Sequence, residues 1–186
     1  NIENKKLEIK KSTSIEDLIK SNFNYKDIVA AKINNKLCDL SDLIASDCNI
    51  ELIKSSDNQG LEIIRHTCAH LFGHAIKQIY PKTKMVIGPV IDNGFYYDIE
   101  SEEAISEKEL SSIELLMKKL SKKKYKIIKE VVTRDKAIKV FNERNETYKL
   151  KLIKEIPDDE IIAIYYHEEY IDMCRGPHLT NTKFLN

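Results

Sequence analysis

The chain has no run of 18 apolar residues, which excludes a membrane-spanning helix at the level of sequence. Cysteine is scarce: 4 in 186 residues, Cys38, Cys48, Cys68 and Cys174. Their irregular positions do not make a disulfide framework, so a reducing cytosol is the simpler compartment. There is no internal repeat. No signal peptide is expected from the opening NIENKKLEIKK, which is polar and charged, and a start other than methionine is read as trimming. Hydrophobic residues, at 42%, suffice for a packed core, and the length suits one ordinary domain or two small ones.

The formal net charge is zero, but the charges are unevenly spread. Residues 107–154 hold 15 Lys or Arg against 7 Asp or Glu, and residues 155–186 hold 2 against 7. A lysine-rich segment can track phosphates, because each phosphate it neutralises releases a counterion. The same run also reads as a solvated helix face.

SSDNQG, residues 55–60, is a flexible polar stretch between two patterned regions and marks a boundary. Before it, KLEIKK reads as a strand. Thr13 or Ser14 then caps a helix over IEDLIKSN, with Glu16 as capping-box partner of Thr13. IVAAKI and KLCDL form a hairpin about Asn34-Asn35, and NIELI closes a small α+β module. After the boundary, LEIIRHTCAHLFGHAIKQIY has helical periodicity up to Pro81. MVIGPVIDNGFYYDIE gives two β-rich runs about Asp92-Asn93-Gly94. SEKELSSIELLMKKLSKKK is an amphipathic helix with Leu110, Ile113, Leu116, Met117 and Leu120 inward. YKIIKEVV is a strand, and Thr133 caps RDKAIKVFNER. TYKLKLIKEI and EIIAIYYHEEYIDM alternate like strands, and CRGPH is a turn. The hairpins favour antiparallel pairing, so the fold class is α+β rather than doubly wound α/β.

Four of the nine His and Cys side chains form two pairs spaced by four: His66 and His70, then Cys174 and His178. Residues four apart on a helix share a face, and His74 continues the row. Arg175-Gly176-Pro177 turns Cys174 back toward His178. Three readings follow: a tetrahedral zinc set, a metal-free pocket that hydrolyses an ester, or ordinary part-buried histidines. Residue 67 is threonine, so no HExxH motif supplies a zinc protease's general base.

LEIIRHTCAHLFGHAIKQIYPKTKMVIGPVIDNGFYYDIE and YHEEYIDMCRGPH, in that order, resemble the editing domain of bacterial-type threonyl-tRNA synthetases. The resemblance implies a TGS-like β-grasp module over residues 1–55 with its first strand absent or shortened, a linker over 56–60, and the synthetases' second additional, editing domain over 61–186. That domain would have a largely antiparallel sheet and a long motif-bearing helix. The aminoacylation core would lie outside these residues, with its ATP, magnesium and catalytic zinc. The implied partners are tRNA(Thr) and its seryl ester, together with the rest of the synthetase chain. No membrane is involved, and the parent dimerises through the absent core. The cytoplasm is the implied compartment, with an organelle left open.

The implied reaction is hydrolysis of serine from mischarged tRNA(Thr). Serine and threonine differ by one methyl group, and an apolar contact of that size discriminates by only about 10- to 200-fold. A second pocket that admits serine and rejects threonine makes up the difference. Carried over residue by residue, the catalytic positions fall on His66, Lys149 and Asp172, and the substrate-binding positions on His70, Tyr97, Cys174 and His178. His66 and Lys149 would activate water and steady the leaving oxygen, and Asp172 would meet the serine ammonium. Read from the residues alone, Tyr97 lies in a strand and Lys149 shares a strand face with Lys151. No metal is implied for the hydrolysis; zinc, if held, would use His66, His70, Cys174 and His178. The alternatives are a catalytically silent tRNA-binding module and a zinc-dependent alanyl-type trans-editing hydrolase.

Overall fold

The computed structural model describes residues 2, 6–10, 12–24 and 26–185. The chain divides into two compact units: Asn1–Ile64 with Gly176–Thr180, and Arg65–Arg175 with Asn181–Asn186. Among the described residues the fold is mixed α+β, with five α-helices and antiparallel sheets.

In the first unit, α1 (Ile15–Asn22) buries Ile15, Leu18 and Ile19 at helical spacing. Its cap is Ser14, whose Oγ accepts from the Asp17 backbone N–H at 3.1 Å and donates to Asp17 Oδ2 at 2.7 Å. The pair thus sits one residue later than Thr13 and Glu16; the Thr13 hydroxyl donates to the Lys10 carbonyl instead. β1 (Ile28–Ile33) pairs antiparallel with β2 (Lys36–Cys38) and β3 (Ile50–Lys54), in the order β2-β1-β3. Asn34 and Asn35 have φ of 49° and 67°, the left-handed pair a tight two-residue hairpin requires. KLEIKK forms no strand over residues 6–10, and Lys11 lies outside the described residues. Its alternation gives it one apolar anchor, Leu7, against the module's core.

α2 (Asn58–Ile79) begins inside the expected linker. A Cβ on Gly60 would lie 1.9 Å from the Lys54 carbonyl oxygen, so only glycine lets the helix start against the end of β3.

In the second unit, β4 (Lys84–Ile87) pairs with β7 (Asp98–Glu100). Between them β5 (Val90–Ile91) and β6 (Gly94–Phe95) form a hairpin about Asp92-Asn93. α3 (Glu107–Lys122) buries Ile113 and Leu120. Leu110, expected inward, is 49% exposed at the start of that helix. β8 (Ile128–Val132), β9 (Ile162–His167) and β10 (Tyr170–Met173) make an antiparallel sheet in the order β10-β9-β8. α4 (Arg134–Glu143) is capped by Thr133, and α5 (Thr147–Glu155) follows.

α5 corrects the strand expected over TYKLKLIKEI. Helical period puts Lys149 and Ile153, four apart, on one buried face and turns Lys151 out to solvent. The preceding Glu146 is tied down as well: its carboxylate meets Lys77 Nζ at 2.6 Å and accepts from the Met85 N–H. In the second unit one apolar cluster is built on Leu71, Ile76, Met85, Ile113 and Leu120, and another on Phe141, Ile153, Ile162 and Ile164. No described helix is long and apolar enough to cross a membrane. All four cysteines are in the thiol form.

Candidate functional site

α2 carries His66, His70 and His74 one turn apart. The His66 and His70 rings lie 5.2 Å apart, nearly perpendicular. His66 is half-buried, whereas His70 and His74 are buried. Strand alternation on β10 sends Tyr170 and Asp172 to the same side, since residues two apart share a face. α5 brings Lys149 to them.

Asp172 is the hub. Its Oδ1 accepts from Lys149 Nζ at 2.6 Å and from the Met173 backbone N–H at 2.7 Å. Its Oδ2 accepts from the Tyr97 hydroxyl at 2.7 Å and the Tyr170 hydroxyl at 3.0 Å. His70 Nε2 stands 3.7 Å from the same oxygen, beyond hydrogen-bond length. Burial alone would raise the Asp172 pKa, but the Lys149 ammonium and the surrounding donors outweigh it. The carboxyl is held below its ordinary value and stays ionised. With 6% and 2% of their side chains exposed, Lys149 and Asp172 form a buried ion pair whose desolvation is offset by these extra hydrogen bonds.

Tyr97 lies in the link between β6 and β7, not in a strand. A Cβ on Gly88 would sit 2.6 Å from the Tyr97 ring, so the bare glycine backbone is what lets that ring lie down and reach Asp172. Burial first, then the Asp172 charge, pushes the Tyr97 phenol well above its usual pKa. It therefore remains a donor.

Burial, together with His167, His66 and Lys149, drives the His70 pKa well below the usual imidazole value. His167, on β9, is lowered to about 3, chiefly by burial and then by His74. Both rings are neutral at neutral pH. An imidazole neutral in the fold must take up a proton on unfolding in acid, so this stability is full above the unfolded value of 6.5 and drains away as pH falls toward 3. Urea unfolding at pH 4 should give roughly 3 kcal/mol less stability than at pH 7 from His167 alone. His167→Gln should show a shallower fall, with His70 still contributing. Parallel curves for the two proteins would contradict this.

Of the sequence-expected residues, His66, His70 and Cys174 each offer a donor atom, and these donors lie within 4.8 Å of one another; His178 falls in the first unit. Two imidazole nitrogens and a thiol are a donor set that could hold a metal ion such as zinc. Arg175, in the turn between Cys174 and His178, is exposed and pairs with Glu160 at 3.2 Å.

Sequence reading passed over two residues here. His167 and Tyr170 flank the β9–β10 turn, and the signal for Tyr170 was its position two before Asp172. On the outer side of Tyr170, His74 Nε2 meets Glu169 Oε1 at 2.8 Å. Burial would raise the Glu169 pKa, but hydrogen bonds from Gln78 and His74 outweigh it and hold the carboxyl at about 2.

Residues 162–186 match the family model of the threonyl and alanyl tRNA synthetase second additional domain. The match takes in β9, β10 and the turn after them, and with them Asp172, Cys174 and His178. It points to a synthetase-associated editing or tRNA-binding module.

Proposed function

We propose that this chain is the editing region of a threonyl-tRNA synthetase and hydrolyses serine from mischarged tRNA(Thr). The observation that carries this reading is the buried Lys149–Asp172 pair, held by two tyrosines beside the paired histidines of α2. An ester hydrolase needs a placed water, a group to take its proton and a charge near the leaving oxygen. His66, half-buried at the edge of the cluster, accepts the proton from water. Lys149 steadies the 3′-oxygen as the ester bond breaks, and that oxygen takes up the proton His66 removed from water, leaving the tRNA intact with a 3′-hydroxyl. Asp172 has every lone-pair direction toward Lys149, Tyr97, Tyr170 and Met173 engaged, so its part is to aim Lys149 rather than to receive the serine ammonium. His70, Tyr97 and Cys174 line the pocket for serine and the terminal ribose, and their crowding is what would reject threonine's methyl group.

Residues 1–55 are proposed as the TGS-like module. The helix α1 beside the sheet β2-β1-β3 agrees with a β-grasp core. The lysines at 118, 119, 122, 123, 124 and 126 are proposed to meet the phosphates of the acceptor arm.

The test is incubation of the chain with seryl-tRNA(Thr). Release of serine supports the hydrolase. Binding with the ester left intact would instead favour the silent tRNA-binding module.

Zinc is not part of the proposed step. His66, His70 and Cys174 would hold it, and bound there it would acidify a water and polarise the ester carbonyl. The proposed step runs on His66 and Lys149 without a metal. Hydrolysis should therefore persist within twofold after exhaustive chelation. Activity lost on chelation and restored by zinc would move the chemistry to the metal and favour the alanyl-type reading.

A further inference from the structure

We infer that Tyr170 is a positioning residue for the hydrolysis, acting through Asp172 to keep Lys149 in place; the inference rests on the hydrolase reading above. Its hydroxyl, 2% exposed with the rest of the side chain, donates to Asp172 Oδ2 at 3.0 Å. The ring is clamped from outside the site. It stacks on His74 with centroids 5.8 Å apart and planes within 12°. Its hydroxyl end presses on α2 where a Cβ on Gly73 would lie only 2.3 Å from the oxygen, so the absence of a side chain at 73 is what admits it.

The consequence lies in how a carboxylate turns. Oδ2 accepts from two tyrosine hydroxyls, and His70 Nε2 stands 3.7 Å from it. With the Tyr170 bond removed, Oδ2 is held by Tyr97 alone and can swing toward His70. The two oxygens move together, so Oδ1 is drawn off Lys149 Nζ and the ammonium loses its fixed direction. Tyr170 touches no substrate in this account; it sets the angle of the group that aims the cation.

The experiment uses the whole chain and the Tyr170→Phe variant, which keeps the ring that stacks on His74. Single-turnover hydrolysis of seryl-tRNA(Thr) at saturating protein should slow roughly tenfold, the scale of one well-made buried hydrogen bond. The half-saturating protein concentration should stay within twofold. In an Asp172→Asn background, the same change should have no further effect, because its target is already altered. A ring that only fills space would give Tyr170→Phe the wild-type rate, and that result overturns the inference. A full tenfold loss that persists in the Asp172→Asn background overturns it too, since the hydroxyl would then act elsewhere. A wild-type chain that releases no serine overturns the hydrolase reading itself, and the role falls with it.

Discussion

Replacing Lys149 with methionine should lower seryl-tRNA hydrolysis about 10²- to 10³-fold, the scale of removing one preorganised charge from a developing anion. It should also destabilise the protein, because Asp172 is buried and ionised beside it. Deleting one partner of such a pair leaves a charge without compensation, at a cost of about 3–5 kcal/mol. The two effects separate in the double variant Lys149→Met with Asp172→Leu. That variant carries no orphan carboxylate, so urea unfolding should show part of the lost stability restored while hydrolysis stays low. Recovery of hydrolysis along with stability would mean that Lys149 serves the fold alone.

His66→Ala should behave differently. Its ring is half-buried at the rim, and its loss should leave the urea midpoint nearly unchanged. Single-turnover hydrolysis should fall about 10²- to 10⁴-fold, as for removal of a general base. A fall in the rate with unchanged tRNA binding supports proton transfer at His66. A wild-type rate in the variant would reassign that step.

The contrast between these two residues shows where sequence was informative. His66 was legible because HxxxH on a long periodic helix fixes two rings to one face before any tertiary contact is known. Cys174 followed from the same spacing around a Gly-Pro turn, and its donor lies together with those of His66 and His70. Lys149 was not legible from local pattern. TYKLKLIKEI alternates, and a strand would have put Lys149 and Lys151 on one solvated face. As a helix the two point opposite ways, and the partner that holds Lys149 inward, Asp172, lies 23 residues further on. Local alternation cannot register an ion pair of that separation. Tyr97 shows the same limit: its reach to Asp172 depends on the bare backbone at Gly88, nine residues earlier. The β9–β10 hairpin was readable, because EIIAIYYHEEYIDM carries its own period of two and its own turn.

The most direct test is a crystal structure of the chain with a non-hydrolysable seryl-adenosine mimic. The account predicts the ester-mimicking group between the His66 imidazole and Lys149 Nζ, with the serine side chain enclosed near Cys174 and Tyr97. A mimic seated away from these side chains, with the Lys149–Asp172 pair facing no ligand atom, would contradict it.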